Sequence, residues 1–117
     1  MSYIPGLHIL AEIITEEQYL LEEFSSLKEY LNELVKRYEL TEVGQVFHNF
    51  QPAGFTGVLC LTESHISIHT WPENHLLTLD IYLSNYQKQN DQKARDIFEN
   101  LKIFFRAKSF NVQEIKR

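Results

Sequence analysis

Apolar residues along the chain follow two periods. Leu7 to Ile14 (LHILAEII) is apolar and β-branched enough to predict a strand, and Thr15 followed three positions on by Gln18 has the spacing of a capping box, so a helix is expected to start there. Leu20, Phe24, Leu27, Leu31, Leu34, Val35 and Tyr38 then recur at spacings of three and four, with Glu22, Glu29, Lys36 and Arg37 between them, which predicts one long amphipathic helix. From Glu42 the period changes. Val43 to Gln51, Gly57 to Thr62, His65 to Trp71 and Leu76 to Tyr82 all predict strands, punctuated by Pro52, Gly54 and Gly57 and then by Pro72 and Asn74. A second helix from Asn90 or Asp91 carries Ala94, Ile97, Phe98, Leu101, Phe104 and Phe105 on one face, and Phe110 to Ile115 predicts a final strand.

Strands around two one-faced helices predict an α+β fold, a two-layer sandwich with both helices on one side of a mainly antiparallel sheet. The runs Val58-Leu59-Cys60-Leu61 and Leu76-Leu77-Thr78-Leu79 are apolar at successive positions, which predicts burial of both sheet faces. A second copy of the chain is the economical cover for the outer face, so a homodimer is expected. At 117 residues the whole span 1–117 is expected to be one domain.

Composition narrows the function classes. With 44% hydrophobic and 13% aromatic residues the chain is not disordered, and no apolar run approaches the roughly 20 residues of a membrane helix, so no membrane partner is expected. No basic stretch followed by an apolar segment opens the sequence, and a cytoplasmic location follows by default. A formal charge of -5 with scattered Lys and Arg argues against nucleic acid. The single cysteine, Cys60, excludes an internal disulfide and a cysteine-based zinc site, and no metal is expected. Cys60 itself reads as a buried core thiol, about 13 Å from Ser64 along an extended chain at roughly 3.3 Å per residue. Chemistry must then come from hydroxyls, imidazoles and carboxylates.

Such groups are concentrated in Glu63-Ser64-His65-Ile66-Ser67-Ile68-His69-Thr70-Trp71-Pro72-Glu73, around the apolar alternation of a buried strand. This segment, with the preceding tract Phe47-His48-Asn49-Phe50-Gln51-Pro52-Ala53-Gly54-Phe55-Thr56-Gly57, the later Asp80 and the early Gly6-Leu7-His8, resembles the small bacterial and archaeal S-adenosylmethionine decarboxylase proenzymes. The resemblance covers nearly the full chain and implies an S-adenosylmethionine decarboxylase-like fold. It also implies that the chain cuts itself before Ser64. The Ser64 hydroxyl would attack the Glu63 carbonyl to give an ester, β-elimination would release the upstream chain, and hydrolysis of the resulting dehydroalanine would leave a pyruvoyl group. Residues 1–63 and 64–117 would stay folded together.

By the same resemblance the pyruvoyl carbonyl derived from Ser64 forms a Schiff base with the amine of S-adenosylmethionine and accepts the electrons left by carbon dioxide, supplying the aminopropyl donor for spermidine biosynthesis. His69 is implied as the proton-transfer group of processing, Thr56 as its companion hydroxyl, Glu73 as the acid on the ribose hydroxyls and Phe50 as an adenine-stacking residue. Taken alone, His69 would be a hydrogen-bonded core histidine, Ser64 a turn residue, Thr56 a strand-start residue and Phe50 ordinary core. The surrounding motif reverses that weighting for His69.

Two departures from the family pattern flank the expected pocket. After Asp80 the family has a cysteine and a glycine, the cysteine being the proton donor to the substrate carbon; here Ser84 and Asn85 occupy those positions. A thiol with a pKa of about 8.5 gives up a proton near neutrality, and an unassisted hydroxyl does not. The turn Asn74-His75-Leu76 also replaces a tyrosine-glycine-tyrosine pattern. A pyruvoyl-dependent arginine or ornithine decarboxylase, or a non-catalytic homologue lacking the thiol donor, therefore stands as an alternative.

Strand parity adds a geometric expectation. An unbroken strand from Ser64 would set Ser64 and His69 on opposite faces, so a tight turn or kink is expected at Glu63 to His65, with His65, Ser67, His69 and Trp71 sharing one face.

Overall fold

The computed structural model describes residues 3–86 and 88–117. Six strands, β1 (Leu7–Ile14), β2 (Glu42–Asn49), β3 (Phe55–Leu61), β4 (Ser64–Trp71), β5 (Leu76–Leu83) and β6 (Ser109–Lys116), form one sheet in the order β2-β3-β4-β5-β1-β6. Every neighbouring pair is antiparallel. Helices α1 (Gln18–Glu22) and α2 (Ser25–Arg37) connect β1 to β2, a single 3-10 turn (Pro72–Asn74) connects β4 to β5, and α3 (Asp91–Phe104) connects β5 to β6.

Alternation along the strands builds the core. Leu7, Ile9 and Ile13 of β1, Phe55, Leu59 and Leu61 of β3, Ile66 and Ile68 of β4, and Leu77, Leu79, Ile81 and Leu83 of β5 are buried in one cluster with Leu27, Leu31 and Leu34 of α2 and Ala94, Ile97 and Leu101 of α3. Each fully buried Leu or Ile contributes roughly 1.5–3 kcal/mol, and truncating one such as Leu79 to alanine costs about 2–5 kcal/mol. Tyr30 of α2 stacks on Phe104 of α3 with ring centroids 4.7 Å apart, which seals the two long helices against each other.

The predicted single long helix is two helices. Glu23 has extended backbone angles, φ -148° and ψ 153°, and its carboxylate accepts hydrogen bonds from the Ser25 N–H at 2.8 Å and from the Ser25 hydroxyl at 2.7 Å. The Phe24 N–H donates to the Asn49 side chain, and the Glu22 carbonyl accepts from the Gly54 N–H, so the loop after β2 holds the break open. The Thr15–Gln18 capping box does not form. The Thr15 hydroxyl donates to the Phe105 carbonyl and accepts from the Glu17 N–H, while the Gln18 amide donates to the Pro72 carbonyl at 2.6 Å.

The second sheet face is open within one chain. His8 and Glu12, Val58 and Cys60, His65, Ser67, His69 and Trp71, and Thr78, Asp80 and Tyr82 alternate onto a face that no helix covers among the described residues. Val58 and Trp71 are each 41% exposed within one chain. Cys60 is exposed and not a core thiol, because Leu59 and Leu61 take the inward positions of β3 and leave Cys60 to the open face.

Candidate active site

Strands β3 and β4 are joined by a tight turn at Thr62 and Glu63, closed by the pairing of Leu61 with Ser64. The Glu63 side chain is buried, and its Oε1 accepts from the Thr41 N–H at 3.2 Å and the Thr62 hydroxyl at 3.1 Å. Its main-chain carbonyl accepts from the Ser84 N–H at 2.7 Å. The next residue, Ser64, has φ 145°. That region is adopted almost only by glycine and costs on the order of 1–3 kcal/mol, so it persists where the surroundings over-determine it. Here Ser64 is paired with Leu61 on one side and Leu83 on the other.

The Ser84 amide is itself held from behind. A Cβ on Gly6 would stand 2.4 Å from the Leu83 carbonyl oxygen and 3.0 Å from the Ser84 Cα, so only glycine lets the chain entering β1 lie against this peptide. The buried Asn90 side chain donates to the Ser84 carbonyl at 2.8 Å, and the buried Asn85 donates to the Pro5 carbonyl at 2.9 Å and accepts from the Asn90 N–H at 2.7 Å. A fixed N–H aimed at a carbonyl oxygen stabilises negative charge if that carbonyl is attacked. Sequence reading singles out Ser84 for its hydroxyl and misses its amide, since a backbone donor leaves no trace in residue type.

At the other end of β4 stands a second group. Thr56 and His69 are directly opposed across β3 and β4, and the Thr56 hydroxyl lies 2.6 Å from His69 Nδ1. With Phe50, Trp71 and Glu73 they line a cavity of about 430 Å³. Glu73 sits exposed on the 3-10 turn that Pro72 opens. Phe50 is 48% exposed, its ring edge-on to His48 at 5.0 Å, so it is a surface aromatic and not the core residue its strand spacing suggests. A carboxylate, an imidazole–hydroxyl pair and two exposed aromatic faces suit a flat heteroaromatic ligand with vicinal hydroxyls.

The structure brings Glu63, Ser64 and Ser84 together, and Thr56, His69, Phe50 and Glu73 together, but not the two groups. Ser64 and His69 are five residues apart on one strand, roughly 16 Å at 3.3 Å per residue. His65, Ser67, His69 and Trp71 do share the open face. The turn falls at Thr62 and Glu63, Ser64 carries the unusual φ, and β4 pairs regularly from Ser64 to Trp71, so the expected break does not carry Ser64 round to His69 and the two are not paired within one chain. The extended-chain separation of Cys60 from Ser64 does not apply, because the turn folds Cys60 back opposite His65.

Residues 7–117 match the sequence model of the family described as S-adenosylmethionine decarboxylase. The chain is 46% identical over 82 residues to the S-adenosylmethionine decarboxylase proenzyme of Aquifex aeolicus, covering 70% of this chain and 61% of that protein. It is 35% identical over 112 residues to the S-adenosylmethionine decarboxylase proenzyme of Thermoplasma volcanium, covering 96% of this chain and 83% of that protein. The crystal structure of the adenosylmethionine decarboxylase from Aquifex aeolicus is similar at a TM-score of 0.87 with 34% identity, over 99% of this chain and 92% of that one. The match to the first of these relatives thus spans about three fifths of its length.

Proposed function

The chain belongs to the S-adenosylmethionine decarboxylase family, and from that membership we propose that it is a proenzyme that cuts itself between Glu63 and Ser64, gains a pyruvoyl group from Ser64, and decarboxylates S-adenosylmethionine to supply the aminopropyl donor for spermidine. The observation that carries this reading is the Ser84 N–H donating to the Glu63 carbonyl at 2.7 Å beside a serine at φ 145°. Attack of the Ser64 Oγ on the Glu63 carbonyl carbon puts negative charge on the oxygen that the Ser84 N–H already holds. Collapse breaks the Glu63–Ser64 amide and forms an ester, which relieves the strained backbone of Ser64. Removal of the Ser64 Cα proton then breaks the Cβ–Oγ bond and frees Glu63 as a carboxylate. Hydrolysis of the remaining enamine releases ammonia.

The residues present fit the pyruvoyl group. Position 64, which the cut would make the start of the second chain, is paired to β5 beside Ser84 in the intact chain. The group supplies a carbonyl that condenses with the substrate amine and takes up the electron pair left when carbon dioxide departs. Glu73 would accept from the ribose hydroxyls, Phe50 would stack on the adenine, and Ser84 stands at the position of the proton donor.

Thr56 and His69 cannot serve the Ser64 of their own chain, since His69 stands roughly 16 Å from it along β4. We therefore propose a two-fold homodimer, open face to open face, in which the pair on one protomer serves Ser64 of its partner. An isologous contact between two copies of β4 running in opposite senses sets the His69 end of each against the Ser64 end of the other. The exposed Val46, Val58 and Trp71 would be covered in the same step. The free thiol of Cys60 and the acidic balance suit a reducing cytoplasm. No helix among the described residues is long and apolar enough to cross a membrane.

Release of labelled carbon dioxide from S-adenosylmethionine, arginine and ornithine, each labelled at the carboxyl, tests the substrate. Release from S-adenosylmethionine alone is expected. Exclusive release from arginine or ornithine would move the reading to those substrates, and none from fully cleaved protein would make the chain a non-catalytic homologue.

A further inference from the structure

Three side chains on the open face belong to neither group described above. His8 of β1, His65 of β4 and Asp80 of β5 offer two ring nitrogens and a carboxylate oxygen that all lie within 4.8 Å of one another. Register produces this convergence. His8 and His65 flank Tyr82 from the strands on either side of β5, and Asp80 stands two residues before Tyr82 on the same face.

His8 is the telling member. It is only 6% exposed, and neither of its ring nitrogens has a hydrogen-bond partner among the described residues. A buried imidazole ordinarily finds at least one partner, and each exception calls for an explanation. Its Nε2 lies 3.7 Å from Asp80 Oδ2, too far for a hydrogen bond. Two ligands of a tetrahedral ion with bonds of about 2.0–2.1 Å lie about 3.3 Å apart, so a small side-chain movement closes the pair onto a cation. Asp80 also lines a cavity of about 300 Å³ with Glu12, Thr78, Asn111 and Gln113 on the side of β1 away from His65.

We propose that His8, His65 and Asp80 bind one divalent transition-metal ion of the zinc class, with water completing the coordination sphere. Two imidazoles and one carboxylate are a donor set that suits such ions, whereas calcium and magnesium prefer oxygen ligands. The ion ties three adjacent strands, β4, β5 and β1, and fixes the residue that follows Ser64. The donors lie on three strands far apart in the chain and show no short ligand spacing, which is why the sequence predicts no metal. The inference does not depend on the decarboxylase reading.

The test is titration of tag-free, metal-stripped protein with Zn2+ by calorimetry and with Co2+ by visible absorption. One ion per chain with micromolar or tighter affinity is expected, together with shifts of the His8 and His65 ring-nitrogen resonances in the unaltered protein. Asp80→Asn and His8→Gln should each weaken binding at least about ten-fold, while His75→Gln, on an exposed turn, should leave it unchanged. Circular dichroism identifies variants that fail to fold. The absence of saturable binding by the unaltered protein overturns the proposal whatever the variants do. Unchanged affinity in folded Asp80→Asn, or metal-induced shifts that spare His8 and His65, overturns it equally.

Discussion

The N–H of Ser84 donates to the carbonyl oxygen of Glu63 at 2.7 Å, which ties the residue at the end of β5 to the peptide bond in front of Ser64. This contact gives position 84 a role that does not depend on its side chain. Serine in place of cysteine leaves the amide in place, so under the proposed function cleavage and proton donation are separable at this one position.

Gly6 supports that contact. A methyl group at this position would stand 2.4 Å from the Leu83 carbonyl oxygen, so Gly6→Ala has to displace the Leu83–Ser84 peptide. Loss of a single donor to a developing oxyanion typically costs about 10²–10³ in rate, and overpacking costs about 1–3 kcal/mol of stability. Gly6→Ala is expected to slow self-cleavage by up to about 10²-fold while the protein still folds. A time course on denaturing gels together with a thermal melt measures both, and cleavage at the normal rate would remove the Ser84 amide from the processing account.

Under the proposed function the side chain of Ser84 bears on turnover after cleavage. A thiol is a far better acid near neutrality than a hydroxyl. Ser84→Cys is expected to leave cleavage unchanged and to raise kcat, or to lower inactivation by protonation on the pyruvoyl carbon, which converts that group to alanine. Rates of carbon dioxide release, and the fraction of alanine at the new N-terminus over many turnovers, measure the two. If neither moves, the proton comes from another group.

Separation of Ser64 from His69 along β4 predicts complementation. Ser64→Ala alone and His69→Ala alone are each expected to stay largely uncut. Co-expressed and mixed, the two should form heterodimers in which the intact His69 of one chain acts on the intact Ser64 of the other. Cleavage of only the His69→Ala chain supports the shared site, and an uncut mixture of confirmed heterodimers counts against it.

Acid should loosen β6 before the rest of the sheet. Arg95 of α3 holds the Glu114 carboxylate at 3.0 Å, and the hydrogen bond from Arg95 is the main cause of its lowered pKa. Burial raises the Asp91 carboxyl, but hydrogen bonds from Lys116 and Asn85 and the charge of Lys116 outweigh it, and the net shift is also downward. A carboxyl with a depressed folded pKa contributes stability that is present above its unfolded value and is lost as the pH falls through the folded value. Amide exchange in β6, corrected for intrinsic rates, is therefore expected to lose protection below the ordinary carboxylate range while the β4–β5 pairing keeps it. Arg95→Ala should weaken β6 at neutral pH and reduce that acid dependence.

Much of the fold is legible in the sequence because alternation is a local property. Leu7–Ile14 and the start of β5 at Leu76 coincide with their predictions, and Ala94, Ile97, Phe98 and Leu101 form the buried face of α3 as read. The helix break at Glu23 is less visible, since the groups that hold it, Asn49 at the end of β2 and Gly54 in the loop after it, come from later in the chain. Cys60 misleads because an apolar run does not say which of its members faces the uncovered side. At the candidate site the residue types were legible and their distances were not. Ser64 and His69 look like neighbours in a motif, yet an extended strand keeps them roughly 16 Å apart. The donors on Glu63 and the meeting of His8, His65 and Asp80 exist only once the strands are paired.

Every step of the proposed function follows from self-cleavage of the Glu63–Ser64 bond. Intact mass spectrometry of freshly purified protein under denaturing conditions tests it most directly. Two chains are expected, 1–63 with an ordinary C-terminal carboxylate and 64–117 lighter by one ammonia than simple hydrolysis would leave. A single uncut chain, or a cut that leaves serine at position 64, would contradict the account.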